Sequence, residues 1–228
     1  MTNDIMNNDG QKLIDVSHVV AHGMITYKGL PAPIICDYLS REASKEFYDE
    51  ETRFQIGRID MVANTGTYLD APYHRFETGK DLSELDLSSL ANLDGLVIHV
   101  GPNIQKITAE NFTGVDVKGK AVLIRTDWSR HWATDQYFEN FPHLTKEAAE
   151  YLRDNGAVLV GIDSHNIDDT SGKSRPVHTV LLGADIAIVE HMTGLSALPE
   201  TGFKFFAVPV KVKGMGTFPV RAFGLINV

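Results

Sequence analysis

The sequence predicts a mixed α/β domain built around a largely buried sheet, and three observations carry that expectation. Short runs rich in β-branched residues recur, one well-capped helix precedes one of them, and strand-like runs outnumber helical ones. A length of 228 residues suits one large domain with a sizeable core. Apolar residues make up 43% and charged residues 22%, which sets the chain apart from disordered compositions.

Residues 1–11 are polar and rich in Asn and Asp, and read as a flexible terminus ahead of a domain over 12–228. They lack the basic start and apolar run of a secretory signal. The runs at 96–100, 121–124, 158–162, 186–189 and 205–210 are continuously apolar rather than alternating, as expected of strands covered on both faces. A helix is expected just ahead of the third run. Thr145 caps it, Ala148, Tyr151 and Leu152 form its apolar face, and Asn155 with Gly156 stops it. Residues 38–48 and 85–93 are two further helix candidates. No uninterrupted run of eighteen apolar residues occurs, so no membrane span is expected. The net charge of -9 offers no basic face to a nucleic acid. Cys36 is the only cysteine, so no intrachain disulfide or thiolate metal cluster can form, and a reducing, cytoplasmic location is expected.

The densest chemical signal is Asn64-Thr65-Gly66-Thr67-Tyr68-Leu69-Asp70-Ala71-Pro72-Tyr73-His74. Asp70 and His74 would share one face of a helix, but Pro72 removes a donor and pushes Ala71 toward extended geometry. A turn that brings a carboxylate and an imidazole together is therefore expected; the plain alternative is an Asx-type turn with an exposed His74. Glu190 ends an apolar run, where an unpaired carboxylate is costly unless it binds a partner or a metal. The plain alternative there is a strand end at which Glu190 reaches solvent. His178 precedes Glu190 by twelve residues. Asp70, His178 and Glu190 together would make an O/N/O set suited to zinc, manganese or a similar divalent ion. Spacing alone leaves open whether the three meet.

The block resembles the signature His-x-Gly-Thr-His-x-Asp-x-Pro-x-His of the cyclase-like metal hydrolases that include bacterial kynurenine formamidases. Gly66, Thr67, Asp70, Pro72 and His74 match it, as does the downstream pair His178 and Glu190. Residues 13–17, 159–163 and 218–222 are similar to the family's opening, central and closing segments, so the likeness spans the chain from about residue 13 onward. The resemblance implies a swivelling β/β/α-type fold with a mixed sheet, a homo-oligomer (dimer or tetramer), and hydrolysis of a small-molecule substrate. It also implies Asp70, His178 and Glu190 as metal ligands and His74 as the acid–base residue. Asn64 and Tyr68 stand where the pattern has histidines serving a second ion, so one metal ion per chain is expected.

On this reading the ion activates a water and polarises the scissile carbonyl, while His74 moves the proton. Asn64 and Tyr68 are expected at the substrate, with Tyr68 as a hydrogen-bond donor. Trp128 and Trp132 follow a predicted strand and are expected as an aromatic wall beside Arg130, which would receive a carboxylate; packing of a loop or subunit interface is the alternative. The leading expectation is hydrolysis of an N-formyl aryl amide, as in tryptophan catabolism. The alternatives are opening of a lactone or cyclic imide, and a non-catalytic small-molecule-binding relative.

Overall fold

Ten strands hydrogen-bond into one sheet. A computed structural model describes residues 5–6, 10–49, 51–101 and 103–227. Across the sheet the order begins β1 (Ile5–Met6), β2 (Gln11–Asp15), β14 (Phe223–Asn227), β12 (Phe203–Phe206) and β6 (Leu93–His99). It continues β8 (Lys120–Arg125), β10 (Leu159–Ile162), β11 (Ala187–Glu190), β5 (Tyr68–Asp70) and β13 (Thr217–Pro219). The middle four, β6, β8, β10 and β11, are parallel, and every other pairing in the sheet is antiparallel. The expected mixed α/β class therefore holds.

The continuous apolar runs have the expected cause. Leu123, Leu159 and Val189 enter one core, whereas Val122, Ile124, Val160 and Ile188 enter the other. Helices α1 (Lys146–Asp154) and α2 (Pro176–Leu182) cover the second face through Ala148, Leu152, Val177 and Leu181. Thr145 caps α1 as expected, its hydroxyl accepting from Ala148 N at 3.3 Å.

Several expectations need correction. Residues 207–210 are not strand, because β12 ends at Phe206. Residues 38–48 finish β3 (Ile34–Leu39) and then form one short turn of 3₁₀ helix, since β3 pairs with β4 (Ile56–Asp60) in a separate hairpin. Residues 85–93 likewise hold a three-residue 3₁₀ turn and then the first residue of β6, with no α-helix. The short strands β7 (Lys106–Ile107) and β9 (His143–Leu144) form a small parallel pair. Most of the terminus expected to be loose lies outside the described residues; Ile5, Met6 and Gln11, which are described, belong to strands. Among the described residues, no helix is long and apolar enough to cross a membrane.

Candidate metal and active site

β5 is three residues long and wholly buried between β11 and β13. Its register sets Tyr68 opposite Glu190 on one side and Asp70 opposite Thr217 on the other. Ala71 stays extended and Pro72 opens a 3₁₀ turn through His74, the bend that the proline predicts. This turn brings His74 Nδ1 to 3.7 Å from Asp70 Oδ1. Thr217 donates its one hydroxyl proton to Asp70 Oδ1, while its oxygen lies 2.8 Å from His74 Nδ1. With that proton spent, Nδ1 of His74 must be the donor to Thr217, which leaves Nε2 as the basic nitrogen.

His178 comes from α2. Asp168 holds it from below: one oxygen accepts from Val177 N at 2.8 Å, and the other from His178 N at 3.0 Å and His178 Nδ1 at 2.7 Å. Nε2 of His178 consequently faces Asp70 Oδ2 at 3.6 Å and Glu190 Oε1 at 3.8 Å. Burial opposes the imidazolium, but Asp168, Asp70 and Glu190 outweigh it and raise His178 to about 10 in the absence of an ion. Burial also raises Glu190, to about 7, with Asp70 adding to it against the pull of His178.

Glu190 does not reach solvent. Its Oε1 accepts from Ile167 N at 2.6 Å, and its Oε2 accepts from the Tyr68 hydroxyl at 2.5 Å and Asn166 Nδ2 at 3.4 Å. Burial and the charges of Glu190 and Asp70 hold the Tyr68 phenol well above its ordinary range. Tyr68 is thus a neutral donor, and the Asn64 side chain hydrogen-bonds it.

The three residues expected as ligands therefore converge, with His74 beside them. The donor set fits a divalent cation: Asp70 Oδ2 is buried without a hydrogen-bond partner, and it lies next to an imidazole nitrogen whose other face is fixed by a carboxylate. Asp70, His74 and His178 also each offer an atom within 4.8 Å of the others. All of this lies at a cavity of about 260 Å³, lined among others by Tyr27, Asn64, Tyr68, His74, His178 and Glu190.

Trp128 is a correction. It is buried with Tyr137 and Phe141, its indole N–H donating to Tyr137 O at 3.0 Å, and it does not line this cavity. Asp127, with a positive φ of 58°, precedes the short 3₁₀ turn that carries Trp128. Trp132 stacks on His18 at 3.8 Å, and Arg130 is exposed beside His131, so neither belongs to the lining. The arginines at the cavity are Arg75 and Arg175. Behind its wall, Tyr27 meets His165, whose ring neighbours include Tyr137, Phe138, Phe141 and His191. Sequence reasoning misses Asp168 and Thr217; the only pointer to Asp168 is its place in a polar run after a central strand.

Residues 14–169 match the Cyclase family model. A kynurenine formamidase from Bacillus anthracis is 27% identical over 219 residues, covering 92% of this chain and 96% of that protein. A solved structure described as a potential metal-dependent hydrolase with cyclase activity is 27% identical, with a TM-score of 0.78 over 94% of this chain and 98% of the other. Isatin hydrolase A from Labrenzia aggregata shares the fold, with a TM-score of 0.81 at 20% identity over 96% of this chain and 95% of its own. On the extent of the family match, this chain belongs to the Cyclase family.

Proposed function

We propose that this chain is a divalent-metal-dependent hydrolase that cleaves the amide C–N bond of a small aryl formamide, as the name of its kynurenine formamidase relatives suggests. The observation that carries the reading is the meeting of Asp70, His178 and Glu190 beside His74 at one small cavity. Asp70, His178 and Glu190 would hold one ion, zinc or manganese, which when bound supplies Lewis-acid polarisation of the carbonyl and a more acidic water. His74 Nε2, left without a proton when Nδ1 donates to Thr217, takes the proton of the attacking water and returns it to the departing amine. Asp168 fixes the tautomer of His178, and Tyr68 with Asn64 keeps Glu190 in place and presents polar atoms to substrate.

The test is His74→Ala on metal-loaded protein, with turnover of formanilide, a lactone and a cyclic imide measured beside metal content. Turnover of the formamide is expected to fall about 100-fold or more with the metal retained. Full activity would remove His74 from the chemistry, and preference for the lactone or imide would move the reaction to ring opening. A second reading, with His74 as third ligand and Glu190 behind it, is favoured by the close set of Asp70, His74 and His178; loss of metal in His74→Ala would decide for it.

The hairpin of β3 and β4 supports a homo-oligomer. It exposes Ile34, Tyr38, Ile56 and Ile59, and a lone two-stranded hairpin is marginal in water. Light scattering showing a monomer would remove that part of the reading. The exposed, unpaired Cys36 supports a reducing, cytoplasmic location.

A further inference from the structure

The floor of the cavity is acidic and its wall is not. Arg75 and Arg175 line it, and the same two arginines line an adjoining hollow together with Lys146 and Lys173. In a chain of net charge -9, this gathering of cations is a matter of placement rather than composition. Thr179 ties the arginines together: its hydroxyl donates to Arg175 O at 2.8 Å and accepts from Arg75 Nε at 3.2 Å.

Both guanidiniums are anchored on neutral groups. Arg175 Nη1 donates to the carbonyls of Asp169, Gly172 and Ser174, and Arg75 rests over the Phe76 ring. Among the described residues, neither makes an ion pair with a carboxylate. Arginines held in place with donors to spare are suited to two-point recognition of a carboxylate.

We propose that the substrate is an anionic acyl compound whose carboxylate is bound by Arg75 and Arg175 while its reacting carbonyl points to His74 and His178. This deepens the hydrolase reading and rests on it. The bound anion sets the orientation of the scissile bond and selects against neutral analogues.

Two measurements separate the anion site from the chemistry. On metal-loaded protein, kcat/KM is compared for N-formylanthranilate and formanilide, which differ by one carboxylate. On the same protein, calorimetry compares benzoate with benzamide. N-formylanthranilate is expected to be preferred about tenfold or more, and Arg75→Gln should erase most of that preference; charge-assisted hydrogen bonds are of this size. Benzoate binding should weaken about tenfold in Arg75→Gln and in Arg175→Gln, and added salt should weaken it less in the variants than in wild type. Among the described residues the Arg75 side chain hydrogen-bonds only Thr179, so its variant leaves the 169–175 turn in place should Arg175→Gln disturb it. Benzoate affinity indifferent to both substitutions overturns the anion site, whether or not formamides are cleaved. Absent hydrolysis of both formamides, with arginine-dependent benzoate binding, overturns the formamide reading and keeps the anion site.

Discussion

Replacing His165 with Phe tests whether the chamber behind the cavity holds a neutral histidine. The imidazole is ringed by Phe141, Phe138 and Tyr137, with centroids at 4.9, 5.1 and 5.6 Å, and its Nδ1 has no hydrogen-bond partner. Burial, with Lys28 adding, lowers it from 6.5 to about 4. The unfolded chain therefore binds a proton below pH 6.5 that the folded chain refuses until about pH 4. Stability from this residue is present above 6.5 and is lost as the pH falls toward the folded value. Between pH 7 and pH 5 the loss is about 2 kcal/mol, since each pH unit crossed below 6.5 costs about 1.4 kcal/mol. His165→Phe keeps a ring and removes the proton. Its packing cost does not depend on pH, so only the difference between the two pH values matters. Urea unfolding of both proteins at pH 7 and pH 5 should show the variant gaining about 2 kcal/mol on wild type at the lower pH. A gap that stays constant would mean that His165 titrates as a solvated imidazole and that the chamber is wet.

Three further outcomes are expected at the site. Asp168→Asn should weaken metal affinity about 10- to 100-fold, read by titration with a competing chelator, because it loosens the orientation of His178. Gly216→Ala should cut turnover sharply at near-normal metal content, since a Cβ there would lie 2.2 Å from His74 N and displace the turn that carries the imidazole. Tyr68→Phe should destabilise the fold by about 1–3 kcal/mol in chemical denaturation, because Glu190 Oε2 loses its strongest partner while staying buried.

The central strands were legible in the sequence because both of their faces are covered, so their runs need no alternation to be recognised. The helix over Lys146–Asp154 was legible from its cap and stop. The helix over Pro176–Leu182 was not, since seven residues that are mostly apolar read equally well as strand, and its first N–H groups are satisfied by Asp168 from another segment. Asp70, His178 and Glu190 stood out as a set through their donor chemistry and the resemblance to the family signature, and spacing could not show that they meet. Trp128 was placed correctly after a strand and wrongly at the cavity, because its ring packs with Tyr137 and Phe141 and its indole N–H is satisfied by Tyr137 O, contacts within a loop that spacing does not reveal.

The three residues of β5 are stitched on one side to positions near 190 and on the other to positions near 217, more than a hundred residues away. No local fragment can assemble this centre, because Asp70 is positioned only once both distant strands have docked. Cation uptake should therefore track completion of the whole sheet, and a truncated or half-folded chain should bind no ion at all rather than bind it weakly.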